Sequence, residues 1–488
     1  MRGYTSIDMA KASARCAVLL GCTATLVLAA TTVAVPYQLN YGEGPLLGMG
    51  LRLARGGTLY PAASEPPYII NPYGPVPYYL VGAVVKIFGL SLTAPRLLIA
   101  VMTVCSAILI GAVVRHCTGS LAAASIFGAL FLTLPNVQRW VVILRVDMIG
   151  VALSLAGIYL FVRSDRWHWA APFFIAALFT KWTFIAAPGA CFLSLLVEGS
   201  KRKALHFAAV CGSAAALAFA LLQWQSGGWF AFHTIEASTA HRFFLDEAVR
   251  YVPLELCVNL PLIALTAFAV QFSKPKPQSR PMLLSLLYFG ITFPIMFAMG
   301  KAGGDRNYFL EWDAALCVLA GVTYGFATRK LQDVRWVQVI LPLMVVIVAV
   351  SNVAIGDVYQ FLHPDDYAEV LGCRDAYQFI AKRGGDHVLT ENIGAAVLAG
   401  KFPVVFEPFL WEQEVARAGW SDSEIVNLIR TRKLSVILLG AAPNYTAHYA
   451  IFDRWPPNLL KAIDQNYKFS AGFDCTDAFF AFEPKIDP

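Results

Sequence analysis

The sequence predicts a polytopic α-helical membrane protein of about eleven transmembrane helices, with short external helices at the membrane surface and a small C-terminal soluble α/β unit. Three observations carry this. Apolar runs repeatedly reach the roughly 20 residues that a bilayer crossing needs. The basic residues fall in alternate loops, as they do when Lys and Arg collect on the cytoplasmic side. After Asp357 the pattern turns from lipid-like to water-like. The 488 residues are 57% hydrophobic and only 14% charged.

Spans are expected near 16–36, 94–114, 119–135, 147–163, 169–181, 184–197, 205–223, 253–272, 282–300, 307–327 and 336–355. The first follows Arg2, Lys11 and Arg15 and is longer than a secretory signal core, so it reads as a retained helix, although Ala29, Ala30 and Ala34 keep cleavage open. From a cytoplasmic amino terminus, inside loops hold Arg115; Arg163 and Arg166; Lys201, Arg202 and Lys203; Lys274, Lys276 and Arg280; and Arg329, Lys330 and Arg335. Residues 1–356 then form the transmembrane unit and 357–488 an extracytoplasmic one.

Gly74 to Gly89 is apolar but too short for a crossing, and counting it would put the basic loops outside. It reads as an interfacial helix anchored by Tyr73, Tyr78 and Tyr79, beside a second short helix over Glu43 to Arg55. Lys181, between two short passes, is expected at an outer turn lining a cavity; a snorkelling lysine on one long bent helix is the alternative. In the tail, 387–390, 403–406 and 434–439 read as strands. Ser421 and Glu424 read as a capping box.

The net charge of +6 comes without a basic run or basic helix, so nucleic acid is not the expected partner. The ten cysteines show no metal-ligand spacing. Cys373 and Cys475, in the polar tail, are free to pair if that tail faces an oxidising compartment. No Walker loop or dinucleotide glycine fingerprint occurs.

In this topology the polar clusters share the outer face: Glu43; Arg139, Arg145 and Asp147; Lys181; Lys301 through Tyr308; and the loop bearing His241 and Arg242. A transporter would place such groups near the bilayer midplane. Cations at headgroup level suit a lipid-anchored phosphate, whose charge as a leaving group they would stabilise, while a carboxylate takes a proton from an incoming hydroxyl. Glu43 is the candidate base, or else it pairs with or caps the external helix. Asp147 is the second carboxylate, or a helix-start residue favoured by the dipole.

The ordered set of motifs resembles the GT-C superfamily of membrane glycosyltransferases, in the branch of aminoarabinose transferase, rhizobial core-sugar transferases and protein O-mannosyltransferases. It consists of Gly42-Glu43-Gly44-Pro45, Gly56-Gly57-Thr58-Leu59-Tyr60, Pro75-Val76-Pro77-Tyr78-Tyr79-Leu80, Ala94-Pro95-Arg96, Leu144-Arg145-Val146-Asp147, Thr180-Lys181-Trp182 and Gly300-Lys301 through Glu311. The resemblance implies transfer of one sugar from a polyprenyl-phosphate donor to an extracytoplasmic glycan, glycolipid or protein acceptor at a bacterial inner membrane, inverting, with Glu43 as single base beside Asp147. It also implies donor-phosphate binding by Arg145, Lys181, Arg242, Lys301, Arg306, Asn307 and Tyr308, and a pocket of Tyr41, Tyr73, Trp182 and His241. Two departures stand out: Gly42 where many relatives have a second acidic residue, which leaves a divalent cation open but no metal ligand assigned, and Trp182 where the family has Gly. A lipid-linked-sugar flippase or a non-catalytic glycolipid-binding scaffold are the alternatives.

Overall fold

The computed structural model describes residues 5–164, 167–239, 242–273, 279–356, 366–383, 385, 387–418, 420–441, 455–475 and 478–486. Each expected apolar run is helical: Ser6–Val33, Thr93–Thr118, Leu121–Thr133, Asp147–Arg163, Ala171–Leu178, Ala186–Val197, Lys201–Gln225, Leu245–Val258 with Leu260–Ser273, Arg280–Ile295, Leu310–Lys330 and Arg335–Ile355. Among the described residues, six helices are long and apolar enough to cross a bilayer, or up to seven if a bent pair counts as one span. The chain is a multi-pass membrane protein.

The bent pair corrects one expectation. Instead of one span over 253–272, the chain breaks by 61° between Val258 and Leu260. Pro261 lacks the N–H that would continue the ladder, and Asn259 turns its side-chain amide back onto the Glu255 carbonyl (3.2 Å) and carboxylate (2.8 Å).

Leu310–Lys330 lies at the centre, nearly all of it buried. Small residues let its neighbours approach closely. A Cβ on Gly321 would stand 2.6 Å from Val114 Cγ2 and 3.1 Å from Phe127 Cβ, so this seam excludes any larger side chain. Most helices around it expose one apolar face outward, as surfaces facing lipid do.

Two external helices, Glu43–Ala54 and Pro75–Phe88, pack against each other as a shelf. Proline at the first helical position starts the second. The Gly74 and Val76 amides donate to the carbonyls of Thr180 (3.3 Å) and Phe179 (3.4 Å), which brings the Lys181 turn to the shelf.

The C-terminal residues form a five-stranded sheet ordered β2-β1-β3-β5-β4, from β1 (His387–Thr390), β2 (Phe402–Pro403), β3 (Val436–Leu439), β4 (Tyr467–Asp474) and β5 (Ala478–Pro484). The first three are parallel, and β5 runs antiparallel to β3 and β4. Cys373 and Cys475 are disulfide-bonded. The expected capping box does not form: the helix spans Ser423–Arg430, and Ser421 Oγ accepts from the Ser423 amide (3.2 Å). Glu424 instead receives the Tyr68 hydroxyl of the shelf (3.3 Å).

This sheet unit sits directly on the shelf. Tyr68 donates its amide to Val404 O and accepts from the Phe406 amide, both at 2.9 Å, which extends the sheet edge by one bridge. The Gly394 amide donates to Gln38 Oε1 (2.8 Å). The packing therefore walls one cavity with both parts of the chain.

Candidate functional site

A cavity of about 330 Å³ opens where the shelf, the adjoining ends of the membrane helices and the sheet unit meet. Asn40, Tyr41 and Tyr73 come from the shelf loops, Arg145 from the turn before Asp147–Arg163, Lys181 and Trp182 from the turn between Ala171–Leu178 and Ala186–Val197, and Lys301, Asp305 and Tyr308 from the late loop. Glu407 and Phe409 are supplied by the sheet unit. Seven of the residues expected from sequence thus converge: Tyr41, Tyr73, Arg145, Lys181, Trp182, Lys301 and Tyr308.

Two cations, the buried Lys181 and the half-buried Arg145, are held ready within it. Lys181 Nζ pairs with Asp147 Oδ1 (2.9 Å) and lies 3.5 Å from the Tyr308 ring centroid. Asn307 Nδ2 occupies the other Asp147 oxygen (2.7 Å). Asp147 and Asn307 stand behind the cavity wall and fix the lysine. Burial opposes the charge on Lys181, but Asp147 outweighs it with help from Tyr308 and Tyr73, so the ammonium titrates above the usual lysine range. Arg145 is likewise opposed by burial and held charged by Tyr73, Asp147, Asp305 and Tyr308. Its side-chain bonds are long, 3.4 Å to Asn40 Oδ1 and 3.4 Å to Tyr73 Oη, and its Nε is buried without a hydrogen-bond partner. An anion would satisfy donors that the protein leaves poorly used.

Gly42 explains how Arg145 fits. A Cβ at position 42 would overlap the Arg145 guanidinium, so a second acidic residue there, as in the resembled motif, would displace that arginine. Among the described residues no group of three or more His, Cys, Asp and Glu side chains is placed to hold a metal ion.

Glu43 is placed elsewhere than the sequence led us to expect. It is fully buried at the start of its helix, outside the cavity lining, and both oxygens are saturated. Arg96 Nε and Nη2 donate to its Oε1 (2.8 Å) and Oε2 (2.7 Å), and the amides of Leu144 (3.0 Å) and Leu39 (2.7 Å) complete it. Arg96 also donates to the carbonyls of Thr32, Val35 and Tyr37. The pair ties the end of the first helix, the shelf and the second membrane helix together. Each Glu43 oxygen thus accepts two donors.

Arg306 faces a neighbouring cavity of about 300 Å³ with Arg139 and Glu247, across the Lys301–Asp305 loop that lines both cavities. Arg242 is exposed and lines neither, and only its carbonyl contributes, accepting from Ala302 N (2.8 Å). His241 lies outside the described residues. Trp182 donates its indole N–H to Thr234 O (3.0 Å). The sequence reading missed Glu407, which lies in a stretch without a catalytic motif and enters the cavity only through tertiary packing.

A membrane-helical unit, two short surface helices and a C-terminal sheet together close one ion-lined cavity. No protein-family model and no curated protein sequence matches the chain. Among solved structures it is similar to ArnT from Cupriavidus metallidurans bound to undecaprenyl phosphate, with TM-score 0.67 and 14% identity over 95% of this chain and 97% of that one. It is also similar to the archaeal oligosaccharyltransferase AglB from Archaeoglobus fulgidus in complex with an inhibitory peptide and a dolichol-phosphate, with TM-score 0.57 and 12% identity over 97% of this chain and 74% of that one.

Proposed function

We propose that this protein is a membrane glycosyltransferase that moves a sugar from a polyprenyl-phosphate donor to a hydroxyl of an extracytoplasmic glycan, glycolipid or protein. The observation that carries the reading is the convergence of Arg145, Lys181 and Lys301 in one aromatic-lined cavity. A fold shared with proteins caught holding undecaprenyl phosphate and dolichol-phosphate supports it. Arg145, Lys181 and Lys301 bind the donor phosphate and take the charge that develops on it as the glycosidic C–O bond breaks. Tyr308 backs Lys181, and Asp147 and Asn307 hold that lysine in place. Tyr41, Tyr73 and Trp182 offer the flat amphipathic surfaces that pack on a sugar ring. Arg306 adds positive field from the adjoining cavity. Residues 1–356 hold the donor, and the unit after 357 closes over it on the periplasmic side of a bacterial inner membrane, where the Cys373–Cys475 bond would persist.

The test uses the full chain in vesicles of total bacterial membrane lipid, supplied with a panel of undecaprenyl-phosphate hexoses and pentoses. Release of undecaprenyl phosphate is the readout. At least one donor is expected to turn over, and Lys181→Met to slow that turnover by about 100-fold. Absence of both release and undecaprenyl-phosphate binding in the parent protein would overturn the reading.

A further inference from the structure

We infer that Trp182 limits the donor to a single unextended sugar ring by standing as a fixed wall beside the phosphate site. The inference rests on the glycosyltransferase reading above and adds to it which sugars the cavity takes.

The cavity is small for a site that must hold a sugar and a phosphate together. Ligand sites span roughly 300–1,000 Å³, and this one, at about 330 Å³, lies at the low end. Most of its aromatic rings are tied to other groups. The Tyr308 ring centroid is 3.5 Å from Lys181 Nζ, Tyr73 Oη is 3.4 Å from Arg145 Nη2, and Tyr41 donates to Glu407 (2.5 Å). Tyr78 is buried within the shelf, and Phe409 packs from the sheet unit against Gly303. Trp182 alone among these rings directly follows a cation of the phosphate cluster in sequence.

It is also firmly held. Its indole N–H donates to Thr234 O (3.0 Å), and Thr234 belongs to a π-helical turn, Phe232–Glu236, that His233 pins to the Asn71 amide and the Pro61 carbonyl. Phe179 meets the indole edge-on with centroids 5.4 Å apart, while Phe219 and Phe230 lie at 6.3 and 6.4 Å. A ring gripped from four segments of the chain has no space into which to swing when a larger ligand arrives. The ordinary role of a tryptophan among phenylalanines is to fill a core. Trp182 is instead half-buried and lines the cavity between Lys181 and Thr183.

A phosphate on Lys181 brings the first sugar of the donor to the next residue along, Trp182. There a bare ring lies flat on the indole, whereas a ring extended by a second sugar meets the wall. Selection works by a clash built against the larger donor, so removing the side chain should admit it.

The experiment gives the full chain, in the same vesicles, two donors: the undecaprenyl-phosphate sugar of the panel that turns over fastest, and that same sugar carrying one further hexose. Release of undecaprenyl phosphate is the rate, and binding of undecaprenyl phosphate alone reports a folded site. The parent should release the extended donor about 100-fold more slowly than the single one, and Trp182→Ala should narrow that gap to about tenfold or less. Trp182→Phe, which keeps a ring against Phe179 and Phe230 but loses the N–H to Thr234, should fall between them. If Trp182→Ala does not bind the probe, Trp182→Phe decides by the same ratio; if neither binds it, the ring serves the fold and the assignment falls. Equal rates on both donors in the parent overturn the assignment, as does a parental ratio in a variant that binds the probe, and either result leaves the glycosyltransferase reading standing. A parent protein inert toward every donor removes both readings at once.

Discussion

Two buried ion pairs, Glu43–Arg96 and Asp147–Lys181, are built to opposite ends. In Glu43–Arg96 every oxygen and every guanidinium nitrogen is engaged, and neither residue reaches the cavity. In Asp147–Lys181 the carboxylate is closed off by Asn307, but the lysine faces the cavity beside an arginine whose Nε has no hydrogen-bond partner. A charge whose valences are all filled by the protein holds the fold. A charge left short of partners is held for something that arrives later.

The largest expected effect breaks the completed pair. Glu43→Gln leaves Arg96 buried without its counter-charge, and loss of one partner from such a pair costs about 3–5 kcal/mol. Unfolding in detergent should shift to markedly lower temperature, and undecaprenyl-phosphate binding should fall with the folded fraction. A variant that folds with unchanged stability but has lost only its turnover would return Glu43 to the role of base and erase the contrast drawn here.

His233 extends the comparison to a neutral group with both valences filled. Its Nδ1 accepts from the Asn71 amide (3.2 Å) and its Nε2–H donates to Pro61 O (2.8 Å), which locks one tautomer and staples the shelf loop to the 229–239 segment. Burial brings its pKa down to about 4, below its ordinary value of 6.5. The unfolded chain therefore binds the extra proton first as pH falls. Stability from this residue is complete above pH 6.5, declines below it and is gone by about pH 4, a loss of about 3 kcal/mol. Comparing the pH dependence of melting in the parent and in His233→Gln checks this, and equal slopes between pH 4 and 6.5 would show that the imidazole is not closed in as described.

What was legible in the sequence follows the range of the forces involved. The apolar runs and the short surface helices are local patterns, and they became helices with boundaries mostly shifted by a few residues, apart from the first helix, which starts ten residues earlier at Ser6, and the break beside Pro261. β1 and β3 were found because they are short, continuous apolar segments. The hairpin of β4 and β5 was missed because much of β4 faces water, with Lys468, Phe469 and Ser470 exposed. The cations Arg145, Lys181 and Lys301 were legible through their shared sidedness. Glu43 drew notice as a carboxylate in apolar surroundings, yet its partner Arg96 is 53 residues away, and only tertiary structure shows that the pair is closed. Glu407 could not be found by such means, since its place in the cavity depends on a fold that brings it to Tyr41 across 366 residues.

The smallest expected effect sharpens the contrast most, because it alters the unfilled site and leaves the filled one alone. Gly42 has ordinary right-handed helical dihedrals, φ −70° and ψ −13°, so alanine meets no backbone penalty there. Its added methyl would occupy the space of the Arg145 guanidinium and force that side chain off the cavity wall. The fold should tolerate the change, since the long bonds of Arg145 to Asn40 and Tyr73 contribute little. Affinity for undecaprenyl phosphate should drop by about tenfold, or about 1.4 kcal/mol, the lower end of what one hydrogen bond to a charged group contributes. Melting temperature within a degree or two of the parent, with weakened phosphate binding, would place Arg145 on the ligand. Unchanged binding would mean that the arginine, like Glu43, serves the structure, and the cluster that holds the phosphate would shrink to Lys181 and Lys301.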